Sequence, residues 1–179
     1  MMPGMSSEPV RHRIYEGRKI DLDVVETVMP DGRVVRREIV EHPGAVVILP
    51  LLENGRVVMI RNQRYAIGRE LLELPAGTLE RGEDPRECAF RELIEETGYE
   101  AATMEPLTQF WTMPGVCTER MHAFVARGLR HVGQRLEETE QITVELMPME
   151  RVVSLIGGGG IDDGKSIVTI LHFRRFCAD

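Results

Sequence analysis

The chain has 179 residues, 42% of them hydrophobic, which suffices for one domain with its own core and does not match the composition of a disordered or low-complexity protein. A formal charge of -7 argues against a general nucleic-acid surface, which would carry a basic stripe, and no apolar run approaches the length needed to span a bilayer. The N-terminal MMPGMSSEPVRHR has no apolar signal core, and Cys88, Cys117 and Cys177 lack metal-ligand spacing. A cytoplasmic protein with reduced thiols is expected, with neither membrane nor nucleic acid as partner.

In chain order, residues 19–29 alternate around Ile20, Leu22 and Val24. Pro30-Asp31-Gly32 then turns the chain into residues 33–40, so a hairpin is expected. Residues 44–52 are almost continuously apolar, as in a strand covered on both faces, and Glu53-Asn54-Gly55 leads into residues 56–64 as a second hairpin. Short strands are expected at 70–74, 104–111, 120–126 and 142–147. Two closing helices, near 149–156 and 165–176, flank the run Gly157-Gly158-Gly159-Gly160. Helices interrupting antiparallel pairs predict an α/β class with a mixed sheet.

Between these strands lies GTLERGEDPRECAFRELIEETGY, residues 77–99. Asp84 before Pro85 is a helix start, since the aspartate can cap and proline's missing N–H costs nothing in the first turn; Gly98 is a helix stop. Ala89, Phe90, Leu93 and Ile94 form an apolar stripe that would pack on the protein. Glu92 and Glu96, four apart, share a helix face, with Glu95 offset beside them, and Arg91 can pair with Glu95. Like charges at that spacing repel, and a hard divalent cation such as Mg2+ or Mn2+ would resolve the repulsion. An acidic helix face exposed to a cleft is expected.

Gly77, five residues, Glu83, seven residues, then Arg91-Glu92-Leu93-Ile94-Glu95-Glu96-Thr97-Gly98-Tyr99 resembles the Nudix box at every defining position. The resemblance implies a Nudix hydrolase: an α/β/α sandwich whose loop, helix and loop hold divalent metal against a diphosphate that water cleaves. It divides the chain into an N-terminal antiparallel strand region, 1–43, and a hydrolase domain, 44–179.

Further pieces resemble the ADP-ribose pyrophosphatase branch of that family. Pro114, in Trp111-Thr112-Met113-Pro114-Gly115, stands sixteen residues after Gly98; Arg36-Arg37-Glu38-Ile39-Val40-Glu41 precedes an apolar strand; Gln63-Arg64 ends the next one. Carried over, Arg37, Glu38, Arg64, Pro114 and Glu119 would bind the nucleotide sugar, a task that suits arginine because its planar fork meets phosphate oxygens two at a time. Metal would be held by the Ala76 carbonyl with Glu92, Glu96 and Glu140. Glu137-Glu138-Thr139-Glu140-Gln141 is similar to the branch's acidic loop, which makes Glu138 the general base, with Glu96 the competing base and Arg91 and Glu95 completing the catalytic set. The resemblance also implies a homodimer sharing the site through N-terminal strands, with Tyr15 and its neighbours as candidates for nucleobase contact. A GDP-mannose or other sugar-nucleotide pyrophosphatase, or a Nudix domain that senses nucleotides without hydrolysing them, are the alternatives. A retired enzyme is expected to have lost metal ligands, and all are present here.

Gly159, four residues, then Gly164-Lys165-Ser166 formally matches a phosphate-binding loop. Such a loop should follow a core strand, whereas a helix is expected before this one, and Asp162 and Asp163 would crowd negative charge onto phosphates. The segment is therefore expected to be a turn and helix start, and Lys165→Ala to leave hydrolysis largely unchanged.

Overall fold

The computed structural model describes residues 8–177. Among these residues are twelve strands and three helices, in chain order β1 (Val10–Glu16), β2 (Asp21–Val28), β3 (Val34–Glu41), β4 (Ala45–Pro50), β5 (Arg56–Arg64), β6 (Arg69–Glu73), β7 (Ala76–Thr78), α1 (Pro85–Thr97), β8 (Tyr99–Glu100), β9 (Thr103–Trp111), β10 (Arg120–Arg127), β11 (Arg130–His131), β12 (Ile142–Pro148), α2 (Met149–Gly157) and α3 (Gly164–Phe176). They form two units, one from the described residues of Met1–Gly44 with Trp111–Arg120, the other from Ala45–Phe110 with the described residues of Met121–Asp179.

The first unit is an antiparallel sheet in the order β1-β2-β3. The expected hairpin is present, with Gly32 at φ 80° donating its N–H to the Met29 carbonyl at 2.9 Å. Its buried face differs from expectation. Asp21, Asp23, Val25 and Thr27 are buried, while Leu22 and Val24 are only half covered. The reason lies in β1, which precedes the hairpin and pairs with β2: Arg13 meets Asp21 at 2.7 Å and Asp23 at 2.5 Å, and Arg11 meets Asp23 at 3.1 Å and also pairs with Glu41. Paired this way, the aspartates can be covered without leaving lone charges. Residues 111–120 dock on β3 through Val40 N–H to Val116 and Thr118 N–H to the Val40 carbonyl.

In the second unit a four-stranded sheet runs β7-β4-β10-β9, with β4 parallel to β10 and antiparallel to β7. An antiparallel sheet runs β12-β5-β6, and β8 pairs with β11. The apolar run of β4 splits by parity, as a pleat requires. Ala45, Val47 and Leu49 pack with Val57, Met59, Leu72 and Leu74 and with Val152, Ile170 and Phe173 of α2 and α3. Val46 and Ile48 pack with Cys88, Ala89 and Leu93 of α1. Burial on both faces explains the unbroken hydrophobicity, and the layering is an α/β/α sandwich with a mixed sheet.

The second expected hairpin is not a continuous pairing. Its turn forms, with Leu52 N–H on the Arg56 carbonyl and Gly55 N–H on that of Leu52, both at 2.9 Å, and a bridge joins Leu51 to Val57, beyond which β4 and β5 enter different sheets. Both strands need covered faces, and separate layers provide them. No helix among the described residues is long and apolar enough to cross a membrane.

Candidate active site

Helix α1 begins as its sequence requires: the Asp84 side chain accepts the N–H groups of Arg86 at 2.8 Å and Glu87 at 3.3 Å, and Pro85 opens the first turn. It ends at Gly98, φ 71°, where a Cβ would also lie 2.7 Å from the Gln134 nitrogen, so glycine is needed for both conformation and room. That close approach has a use. The last carbonyls of a helix lack internal partners. Here residues 132–135 supply them: Gln134 Nε2 donates to the Glu96 carbonyl at 2.7 Å, Arg135 N–H to that of Glu95 at 3.1 Å, and Val132 N–H to that of Gly98 at 2.7 Å. The acidic loop of residues 137–141 follows directly and is thereby brought to the end of the box helix.

Arg91 organises the acids. Its guanidinium grips Glu83 with Nε at 3.1 Å and Nη2 at 3.2 Å, and its Nη1 reaches Glu92 at 2.7 Å and Glu95 at 3.0 Å. Burial works against the arginine's charge, but Glu83 and then Glu92 outweigh it and raise its pKa. For Glu83 the balance runs the other way: burial lifts its pKa, the Arg91 hydrogen bonds lower it, and the net shift is downward. Glu92 lies so close over Gly77 that a Cβ there would strike its carboxylate, which accounts for the glycine at the start of the box.

Glu96 was expected on an exposed face and is instead 3% exposed. Its Oε2 accepts the Ala76 N–H at 2.8 Å. Burial first, then the charges of Glu92 and Glu73, push its carboxyl up to about 8. Glu92 is also raised, by burial foremost, with Arg91 opposing and Glu95 and Glu140 adding to the rise. The expectation of exposed acids erred because helix periodicity says which side chains share a face, not how deep the neighbouring layer lies.

These residues suit a hard divalent cation in chemistry: oxygen donors only, with carboxylates crowded until their charged forms are disfavoured. Ala76, Glu92 and Glu96 lie together, and Glu140 is near enough for its charge to reach Glu92. Among the described residues no three acidic, histidine or cysteine side chains converge on one point as ligands, since Glu92 turns to Arg91 and Glu96 to Ala76. In the loop Glu138 is exposed, and Glu140 folds back to accept the Glu137 N–H at 2.9 Å.

Arg64, at the end of β5, points its Nη2 at Glu73 Oε1, 2.6 Å away. Glu73 carries no expectation from the sequence, yet it is wholly buried and also meets Lys165 Nζ at 2.7 Å. A lone glutamate in the apolar Leu71-Leu72-Glu73-Leu74-Pro75 was the available signal. Lys165 sits in the first turn of α3, whose cap is Asp163, and the segment before it follows helix α2 where a phosphate loop would follow a core strand. It is nonetheless 12% exposed and part of this charge cluster, so Lys165→Ala is not expected to be silent.

The remaining predicted residues belong to the first unit. Arg37 and Glu38 are exposed on β3, opposite Val25 and Val24, and as strand neighbours they point to opposite faces. Pro114 is exposed in a turn closed by Val116 and Cys117 N–H groups on the Met113 carbonyl. Glu119 accepts the Thr112 hydroxyl at 2.5 Å and lies 3.7 Å from His42, whose pKa burial lowers. Tyr15 is exposed on β1.

Known proteins resemble this chain over most of its length. The model of the NUDIX domain matches residues 41–168. The ADP-ribose pyrophosphatase of Bacillus subtilis strain 168 is 37% identical over 166 residues, covering 92% of this chain and 90% of that protein. The methanol dehydrogenase activator of Bacillus methanolicus is 37% identical over 164 residues, covering 90% and 89%. A crystal structure of an ADP compounds hydrolase superposes with a TM-score of 0.81 at 20% identity, covering 95% of this chain and 94% of that one, which shows the shared fold.

Proposed function

The chain belongs to the Nudix family, and from that premise we propose that it hydrolyses the diphosphate of ADP-ribose or a related nucleotide sugar, giving a nucleoside monophosphate and a sugar phosphate. The observation that carries the reading is the set of oxygen donors at the box: Glu92 over Gly77, Glu96 on the Ala76 N–H, and the acidic loop at the end of α1. A sensor without activity would not need this set, so enzyme is preferred. Two relatives at equal identity bear different names, one for a substrate and one for an activating role, and the oxygen-donor set supports hydrolysis.

We assign metal binding to Ala76, Glu92, Glu96 and Glu140, with Mg2+ or Mn2+ as the ion. When bound, it would neutralise diphosphate charge and lower the pKa of the attacking water. Arg91 fixes Glu83, Glu92 and Glu95 in place. Glu138 takes the proton from water, for which an exposed carboxylate on a loop beside the helix end is apt; Glu96 is the alternative base. Arg64 holds a phosphate, and Arg37, Glu38, Pro114 and Glu119 contact the nucleotide sugar. The protein is a cytoplasmic homodimer, with 1–43 as its N-terminal strand region and 44–179 as the hydrolase domain; residues 1–7 and 178–179 lie outside the described residues.

The test is kcat/KM for ADP-ribose, GDP-mannose, NADH and ATP, with EDTA and with Mg2+ or Mn2+ restored. ADP-ribose is expected to lead. GDP-mannose in first place would move the substrate within the class, while ATP or NADH in first place, or turnover surviving chelation, would refute the reading.

A further inference from the structure

Glu73 is the least expected charge in the molecule. It is fully buried, and its Oε1 is the one buried side-chain N or O atom among the described residues with no aligned hydrogen-bond partner. Arg64 Nη2 stands 2.6 Å from that oxygen, but off the hydrogen-bond line, and Arg64 Nε reaches Oε2 only at 3.3 Å. Charge, more than directed hydrogen bonding, therefore holds this guanidinium, which stays 38% exposed. Lys165 takes Oε2 at 2.7 Å and Asp163 at 2.9 Å. The four groups Arg64, Glu73, Lys165 and Asp163 sum to zero formal charge. The same helix turn grips the next residue too: Leu74 N–H donates to Ser166 Oγ at 2.7 Å, and Ser166 Oγ–H donates to Asp163 at 2.6 Å. Leu74 stands two residues before Ala76.

We propose that Glu73 and Lys165 are positioning residues for the hydrolysis, acting through Arg64; this rests on the reading of Arg64 as a phosphate contact. Glu73 anchors one edge of the guanidinium and leaves its exposed portion for ligand. Lys165 shares the carboxylate, so that Glu73 does not draw Arg64 fully inward and cancel its charge. Removing the lysine leaves a net negative cluster behind the arginine, which repels a diphosphate. Removing the glutamate leaves Arg64 without its anchor, while Lys165 keeps only Asp163. The segment resembling a phosphate loop thus serves phosphate indirectly, from the far side of Glu73.

The experiment is a pair of double-mutant cycles on kcat/KM for ADP-ribose, Glu73→Gln with Arg64→Ala and Lys165→Met with Arg64→Ala, each on protein shown folded by circular dichroism. Each of Glu73→Gln and Lys165→Met should lower kcat/KM roughly 10- to 100-fold, the range expected for losing a charge-assisted contact, and Lys165→Arg should retain most of it. In the Arg64→Ala background both changes should have little further effect, because their route of action is gone. Effects that multiply in that background overturn the proposal and leave the Arg64 contact standing. Wild-type kcat/KM in Arg64→Ala overturns the Arg64 reading and the proposal with it. If Glu73→Gln does not fold, the Lys165 cycle decides alone.

Discussion

Glu96→Gln should make the metal-free protein more stable at alkaline pH while abolishing its activity, and the magnitude follows from the burial of that side chain. Its carboxyl lies at about 8 in the fold against an ordinary 4.5. A carboxylate whose folded pKa is raised binds its proton more tightly when folded, so the folded state is favoured at low pH and loses that advantage as pH rises toward the folded value. Between about pH 6 and about pH 8.5 the unfolded chain holds no proton here while the folded one gives its proton up, a loss of roughly 2–3 kcal/mol. For a chain of this size that is a fall in Tm of roughly 5–10 °C. Glutamine keeps an acceptor for the Ala76 N–H and cannot ionise, so it escapes the loss. The assay is Tm by calorimetry in EDTA across that window for both proteins, taken as mutant minus wild type to remove titrations common to both. The difference should grow with pH, and saturating Mg2+ should restore the wild type selectively. A difference that stays flat or shrinks as pH rises would refute the argument. Turnover of Glu96→Gln should fall by orders of magnitude under all these conditions.

Glu138→Gln should lower kcat by about 10²- to 10⁴-fold with little change in KM, since a general base acts in the transition state; steady-state kinetics with ADP-ribose checks it, and wild-type kcat would transfer the role to Glu96. Gly77→Ala places a methyl against the Glu92 carboxylate, so Mn2+ affinity followed by electron paramagnetic resonance should weaken, and activity should fall with it; unchanged affinity would show that Glu92 can move aside freely.

Much of this protein could be read from local chemistry. The cap at Asp84, the proline after it and the glycine at Gly98 specify α1 through backbone rules that act within a turn, and the structure places the helix there. The double burial of β4 was visible in its unbroken apolar run. The box residues are legible for the same reason, because spacing along one helix determines which side chains meet. What the sequence could not determine depended on partners distant in the chain. The aspartates of β2 are buried because arginines of β1 lie across from them, and Glu96 is buried because the strand bearing Ala76 comes up against the helix. Glu73 and Lys165, 92 residues apart, form an ion pair that no local pattern announces. Periodicity fixes direction within an element, but depth and charge pairing are properties of the layers that meet it, and only the tertiary structure brings those layers together.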